Sequence, residues 1–99
     1  MTPHGDYWAV IPVYDEAPTI REVALRTLRV IPQVIVVDDG SCDGTAEALT
    51  GLPVVLLRNR RNRGKAMSLC RGFGYALHAR RRAPLRGRAR YYAKRFADF

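Results

Sequence analysis

The sequence predicts an α/β fold: a partial doubly wound parallel sheet of about three strands, with flanking helices and a basic, partly helical C-terminal tail. Three observations predict it. Short, near-continuous apolar runs recur at residues 7–11, 33–37 and 53–57; helical periodicity fills the spaces after them; and each run breaks into a polar loop. Continuous apolar runs suit strands buried on both faces, and strands that alternate with helices imply right-handed parallel crossovers. A chain of 99 residues holds one small domain at most. At that size burial only narrowly offsets a backbone entropy cost of about 1–2 kcal/mol per ordered residue, which excludes a large self-sufficient enzyme.

The first run, Tyr7-Trp8-Ala9-Val10-Ile11, is aromatic and β-branched and is expected to stop at Pro12, with Tyr7 and Trp8 in the core. Thr19 with Glu22 three positions on forms a capping box beside Pro18, and Ile20, Val23, Ala24, Leu28 and Ile31 recur at helical spacing, so a helix is expected over 19–30 until Pro32. After the strand at 33–37, Asp43 is placed to cap a short helix at 45–50 that Gly51 closes. The strand at 53–57 leads into the basic loop Arg58-Asn59-Arg60-Arg61-Asn62-Arg63-Gly64. Ala66, Leu69, Cys70, Phe73, Ala76 and Leu77 then predict an amphipathic helix from Lys65 to about Ala79, despite Gly72 and Gly74. The order βαβαβα is that of the first half of a Rossmann-like sheet.

Charge divides the chain unevenly. Residues 1–57 carry three basic side chains against eight acidic ones, net −5; residues 58–99 carry fourteen against Asp98 alone, net +13. The 47% hydrophobic content argues against general disorder. No apolar run approaches the roughly 20 residues that span a bilayer, and no basic-then-apolar leader opens the chain, so a cytoplasmic location is expected. Cys42 and Cys70 are too few for a disulfide scaffold and read as free thiols, one bridge being the alternative. His4 and His78 stand alone and read as ordinary histidines.

In a parallel α/β sheet all strands end at one edge, where ligands bind. That edge gathers Pro12-Val13-Tyr14-Asp15-Glu16, Asp38-Asp39-Gly40-Ser41 and the loop 58–64. The first two are acidic with one aromatic; the third is basic and opens a helix whose free N–H groups suit an anion. A ligand with a hydrogen-bonding base at one end and phosphates at the other fits that polarity. No Gly-x-Gly-x-x-Gly follows a strand, and Gly64-Lys65 precedes Ala66 with Asn59 five residues before Gly64, so neither a dinucleotide fingerprint nor a Walker A loop is present. A phospho-acceptor receiver is set aside too, because the third strand ends in Arg58 where that fold needs an aspartate.

Ile11-Pro12-Val13-Tyr14-Asp15-Glu16, Val36-Val37-Asp38-Asp39-Gly40-Ser41-Cys42-Asp43-Gly44-Thr45 and Asn62-Arg63-Gly64-Lys65 together resemble the N-terminal nucleotide-binding half of family 2 glycosyltransferases, enzymes of the GT-A fold that use a nucleotide-diphosphate sugar. The resemblance covers about residues 7–79, and three ordered motifs at successive strand ends make it specific. Asp15 departs from the asparagine usual there, and Cys42 from a polar residue. The resemblance implies that Pro12, Tyr14 and Glu16 line the base and ribose, that Asp38 and Asp39 belong to the donor site, and that Lys65 lies near the diphosphate. It implies that Asp39 accepts from the N3–H of a uracil-like base, which agrees with a carboxylate being acceptor-only. The competing reading of Asp38, Asp39 and Asp43 is turn formation and capping, favoured for Asp43; for 58–65 it is a solvated basic loop.

The resemblance implies further parts: a fourth strand ending in an Asp-x-Asp motif for Mg²⁺ or Mn²⁺ on the donor diphosphate, and an acceptor such as a polyprenyl phosphate, which places the protein in the cytoplasm or peripheral at the inner membrane face. Residues 80–99 contain no Asp-x-Asp, so no metal ligand or catalytic residue is assigned, and the chain alone is expected to be inactive. Division into a nucleotide-sugar-binding half-domain at 1–79 and an arginine-rich tail at 80–99 follows. The stretch 88–99 resembles a segment found farther downstream in bacterial dolichol- or polyprenyl-phosphate sugar transferases, and its Tyr91, Tyr92 and Phe96 spacing suggests a helix. The fourth strand is therefore expected to be missing through truncation or internal deletion, an out-of-frame arginine run at 80–90 being the rival account. The alternative function is a basic nucleic-acid or anionic-membrane binding module through 80–99, in which nucleic acid would bind non-specifically by counterion release.

Overall fold

The structure, a computed structural model, describes residues 7–82 and 90–93. Four strands, β1 (Tyr7–Val13), β2 (Val34–Asp38), β3 (Val55–Arg58) and β4 (Arg90–Ala93), form one parallel sheet in the order β3-β2-β1-β4. Helix α1 (Ala17–Leu28) follows β1 and helix α2 (Lys65–Arg82) follows β3. The two helices take opposite faces. Ile20, Val23 and Ala24 of α1 pack with Ala9, Ile11, Val34 and Val36, whereas Ala76 of α2 packs with Trp8, Val10, Ile35 and Val37. Alternate residues of β1 and β2 thus feed two cores, which is why both strands read as unbroken apolar runs. Trp8 is buried as expected.

The expected α/β class holds, with several corrections. The strand thought to be missing is present: Arg90–Ala93 pairs in parallel with Tyr7–Val10 of β1, so the segment around Tyr91 and Tyr92 is extended there and not helical. Tyrosine pairs favour either form by sequence alone, and a neighbouring strand with open hydrogen-bonding groups decides it. Among the described residues of the tail, Arg80–Arg82 are helical, as the last turn of α2. Between β3 and β4 the chain crosses to the other side of β1, and the reversal creates a switch point beside β1.

β1 also runs through Pro12 to Val13. Ala9 N–H donates to Gln33 O and Val13 O accepts from Asp39 N–H, so odd-numbered residues of β1 face β2. The absent N–H of Pro12 therefore faces the β4 side, two residues past Val10, which pairs with Ala93.

α1 begins at Ala17 with Glu16 as its N-cap, so the Thr19–Glu22 box goes unused. The cap comes from another segment: Ala17 N–H donates to Asp43 Oδ2 at 3.1 Å and Glu16 N–H to Thr45 Oγ1 at 3.1 Å. The helix expected at 45–50 contracts to a 3-10 turn, Glu47–Leu49. In α2 the buried stripe is Ser68, Gly72 and Ala76, while Ala66, Cys70 and Leu77 of the expected face are exposed. Small residues set the packing here: a Cβ on Gly72 would collide with Val10 and press on Val37 at 3.2 Å. Both cysteines are free and exposed. Among the described residues no helix is long and apolar enough to cross a membrane.

Candidate functional site

Register brings the three loops together. Val13 pairs with Asp38 and Asp38 with Arg58, so the chain leaves β1, β2 and β3 at adjacent points on the carboxyl edge. Between the end of β1 and the first turn of α2 lies a cleft of about 180 Å³ lined by Pro12, Tyr14, Asp39, Asn62, Lys65 and Ser68, with Val13 and Gly64 completing it. Tyr14 is 49% exposed and lends it an aromatic wall. Lys65, the first residue of α2, supplies a cation with no acidic partner among the described residues.

Asp39 is 4% exposed and organises the junction. Its Oδ1 accepts from Arg63 N–H at 2.7 Å and Asn59 Nδ2 at 2.8 Å, and its Oδ2 accepts from Gly64 N–H at 2.9 Å. Burial pushes the carboxyl up, but these bonds, led by that from Arg63, together outweigh it and hold Asp39 below the usual carboxylate range. The sequence places glycine at the N-cap of α2, with no side chain to offer. A carboxylate from the end of β2 satisfies the loop amides beside the helix instead and places negative charge at its positive end. Asn59 Nδ2 also donates to Ser68 Oγ at 3.1 Å, tying the loop to the buried face of α2.

The acidic loop is fastened as firmly to its other neighbour. Asp15, with φ +52°, sits in the left-handed region; its N–H donates to Ser41 Oγ at 2.8 Å, and its Oδ1 accepts from Cys42 N–H at 3.0 Å. Asp43 Oδ1 accepts from Thr45 N–H at 3.1 Å and from the Thr45 hydroxyl. The hydroxyl bond foremost, aided by Ala17 N–H, holds Asp43 below the usual range. Asp43 does not cap the turn at Glu47–Leu49, whose N-cap is Ala46 with no side-chain bond; it orders the residues before that turn through Thr45 and serves the start of α1 through Ala17. Gly40 has φ +82°, and a Cβ there would lie 2.6 Å from both Arg61 C and Asn62 N. No other residue lets the two loops lie backbone against backbone.

The cleft therefore brings together Pro12, Tyr14, Asp39 and Lys65 of the residues singled out in the sequence. It does not include Glu16, the half-buried N-cap of α1, or Asp38. Asp38 is fully buried; its Oδ1 accepts from Ser41 N–H at 2.9 Å and its Oδ2 faces Arg58 Nε at 3.5 Å. Among the described residues no three His, Cys, Asp or Glu side chains converge, and the two aspartates nearest the cleft are engaged by protein partners. The side chains of 80–99, on which the polyanion reading rests, and His4 lie outside the described residues. Sequence reasoning missed Asn59, Ser68 and Thr45. A polar residue inside the stripe that α2 buries was the one available signal for Ser68.

The model of glycosyl transferase family 2 matches residues 8–79. The chain is also similar to an uncharacterized protein of Methanocaldococcus jannaschii, 38% identical over 77 residues, which cover 70% of this chain and 33% of that protein. The chain thus spans about a third of the length of the curated relative it matches.

Proposed function

Because the chain belongs to glycosyl transferase family 2, we propose that its cleft binds the nucleoside diphosphate of a sugar donor, a uridine or guanosine diphosphate sugar, for transfer to an acceptor such as a polyprenyl phosphate. One observation carries this reading: an aromatic face, a nearly saturated buried carboxylate and a cation with no acidic partner among the described residues share one small cleft at a helix N-terminus. The base stacks on Tyr14 beside Pro12. A carboxylate offers about four acceptor positions; three on Asp39 are filled by Arg63, Asn59 and Gly64, and the N–H of an imide or lactam edge takes the remaining one in place of the neighbouring Ser68 hydroxyl. The diphosphate lies toward Lys65 and the start of α2, where positive charge favours it. In the family's reaction an acceptor oxygen bonds to the anomeric carbon, and the bond to the donor's β-phosphate breaks with its electron pair leaving on the nucleoside diphosphate. This chain contributes donor binding, and no proton-accepting base for the acceptor is assigned to it.

Calorimetry on the 99-residue chain tests the reading. Uridine and guanosine diphosphates, which present an N–H at that edge, are expected to bind at least fivefold more tightly than cytidine diphosphate, which presents an acceptor. Tyr14→Ala should weaken uridine diphosphate about tenfold, the usual worth of one base–aromatic stack, without moving the melting temperature, because Tyr14 is half-exposed. Equal affinity for all three nucleotides, or none at millimolar concentration, would sink the proposal.

A further inference from the structure

A second depression, about 650 Å³, lies along the basic loop and the exposed side of α2, lined by Arg58, Arg60, Arg63, Arg71, Met67 and Cys70 together with Asn59. It shares no lining residue with the cleft. We propose that this groove is a second anion site, which takes a phosphate group carried by a soluble polyphosphate or by an anionic lipid headgroup. The inference stands independently of the donor reading.

Charge is the first support. Of the four guanidinium groups, Arg58 alone faces an acid, Asp38 at 3.5 Å. Arg71 Nη1 donates to neutral oxygens, Arg58 O and Asn59 Oδ1, both at 2.7 Å. Arg60 and Arg63 have no side-chain partner among the described residues, and the nearby Asp39 is turned to backbone amides and Asn59. Three guanidinium groups gathered around one groove with no acidic partner among the described residues repel one another, and a bound anion relieves that repulsion.

Preorganisation is the second support. The loop carrying these arginines is anchored by Asn59 N–H to Asp38 O at 2.8 Å, by the Asp39 bonds and by Arg71. Ordering it therefore costs little on binding, and guanidinium forks match phosphate oxygens in pairs. Met67, 55% exposed, adds an apolar wall on which the carbon portion of a phosphate ester rests.

The test uses the full chain with two probes. Sodium pyrophosphate, titrated while amide resonances are recorded, is expected to shift residues 58–63, Met67, Cys70 and Arg71, and Arg60→Ala/Arg63→Ala to weaken that response at least tenfold. Arg60→Lys/Arg63→Lys, which keeps the charge and loses the forks, should weaken it about threefold. Flotation with phosphatidylcholine vesicles, with and without 30% phosphatidylglycerol, separates the sources. Capture by the anionic vesicles alone, lost in the double alanine variant, assigns the lipid headgroup; pyrophosphate shifts without capture assign a soluble phosphate. Shifts confined to Tyr14 and Lys65, or responses to both probes that the double variant leaves unchanged, would overturn the second site. Uridine diphosphate reports on the cleft in the same spectra, so either site can fail while the other stands.

Discussion

The loops that leave β2 and β3 differ in what they do with their charges. At 38–45 every acid is spent on the protein: Asp38 on Ser41 N–H and Arg58, Asp39 on the basic loop, and Asp43 on the start of α1 and on Thr45. At 58–63 the backbone is held as tightly, but Arg60, Arg61 and Arg63 keep their side chains unpaired among the described residues. Acids at strand ends accept from backbone N–H groups left over by helices and turns, whereas arginine has only donors and finds fewer free carbonyls there. The acidic loop builds the edge, and the basic loop keeps its charges available, as the proposed anion site requires.

Pressing the two loops apart should have the largest effect. Gly40→Ala places a Cβ against the Arg61 and Asn62 backbone and is expected to cost about 3 kcal/mol, from left-handed strain plus overpacking. That is a large share of the roughly 5–15 kcal/mol of a domain this size, and a urea melt should show a much lower midpoint. Next comes Asp39→Asn, which loses charge-assisted bonds and leaves a buried donor facing another, at about 2–3 kcal/mol. This loss should depend on pH. Asp39 titrates lower in the folded chain than in the unfolded one, so its stabilisation is complete above the unfolded-state value, near pH 4, and is lost as pH falls through the folded value. Melts from pH 7 to pH 2.5 should therefore show the parent and the Asn variant converging in acid; a constant difference would mean that the charge of Asp39 contributes nothing. The smallest effect is expected for Arg60→Ala/Arg63→Ala, within about 0.5 kcal/mol of the parent, since exposed unpaired cations support no fold. A marked loss there would erase the contrast between the loops.

Whatever depends on local pattern was legible in the sequence. β1 and β2 announce themselves as unbroken apolar runs because helices cover both their faces. Features settled between distant segments were not. Thr19 and Glu22 form a sound capping box, yet Asp43 and Thr45 reach α1 first and start it two residues earlier. Residues 90–93 acquire strand identity from β1. The buried stripe of α2 follows Gly72, whose contribution is the side chain it lacks, and a count of apolar residues cannot register it. The cleft was foreseen in four of its residues because three strand ends converge in any sheet of this kind. Asp39 was read for its capacity to accept from a ligand, and most of that capacity is taken by a loop twenty-odd residues away.

Pro12 sets a limit that reaches beyond its own position. A chain pairing with β1 on the β4 side meets backbone N–H donors at Trp8 and Val10 but only a carbonyl acceptor at residue 12. Pairing on that side therefore offers one bond fewer at the end of β1, and the ring that removes it is the same one that lines the cleft.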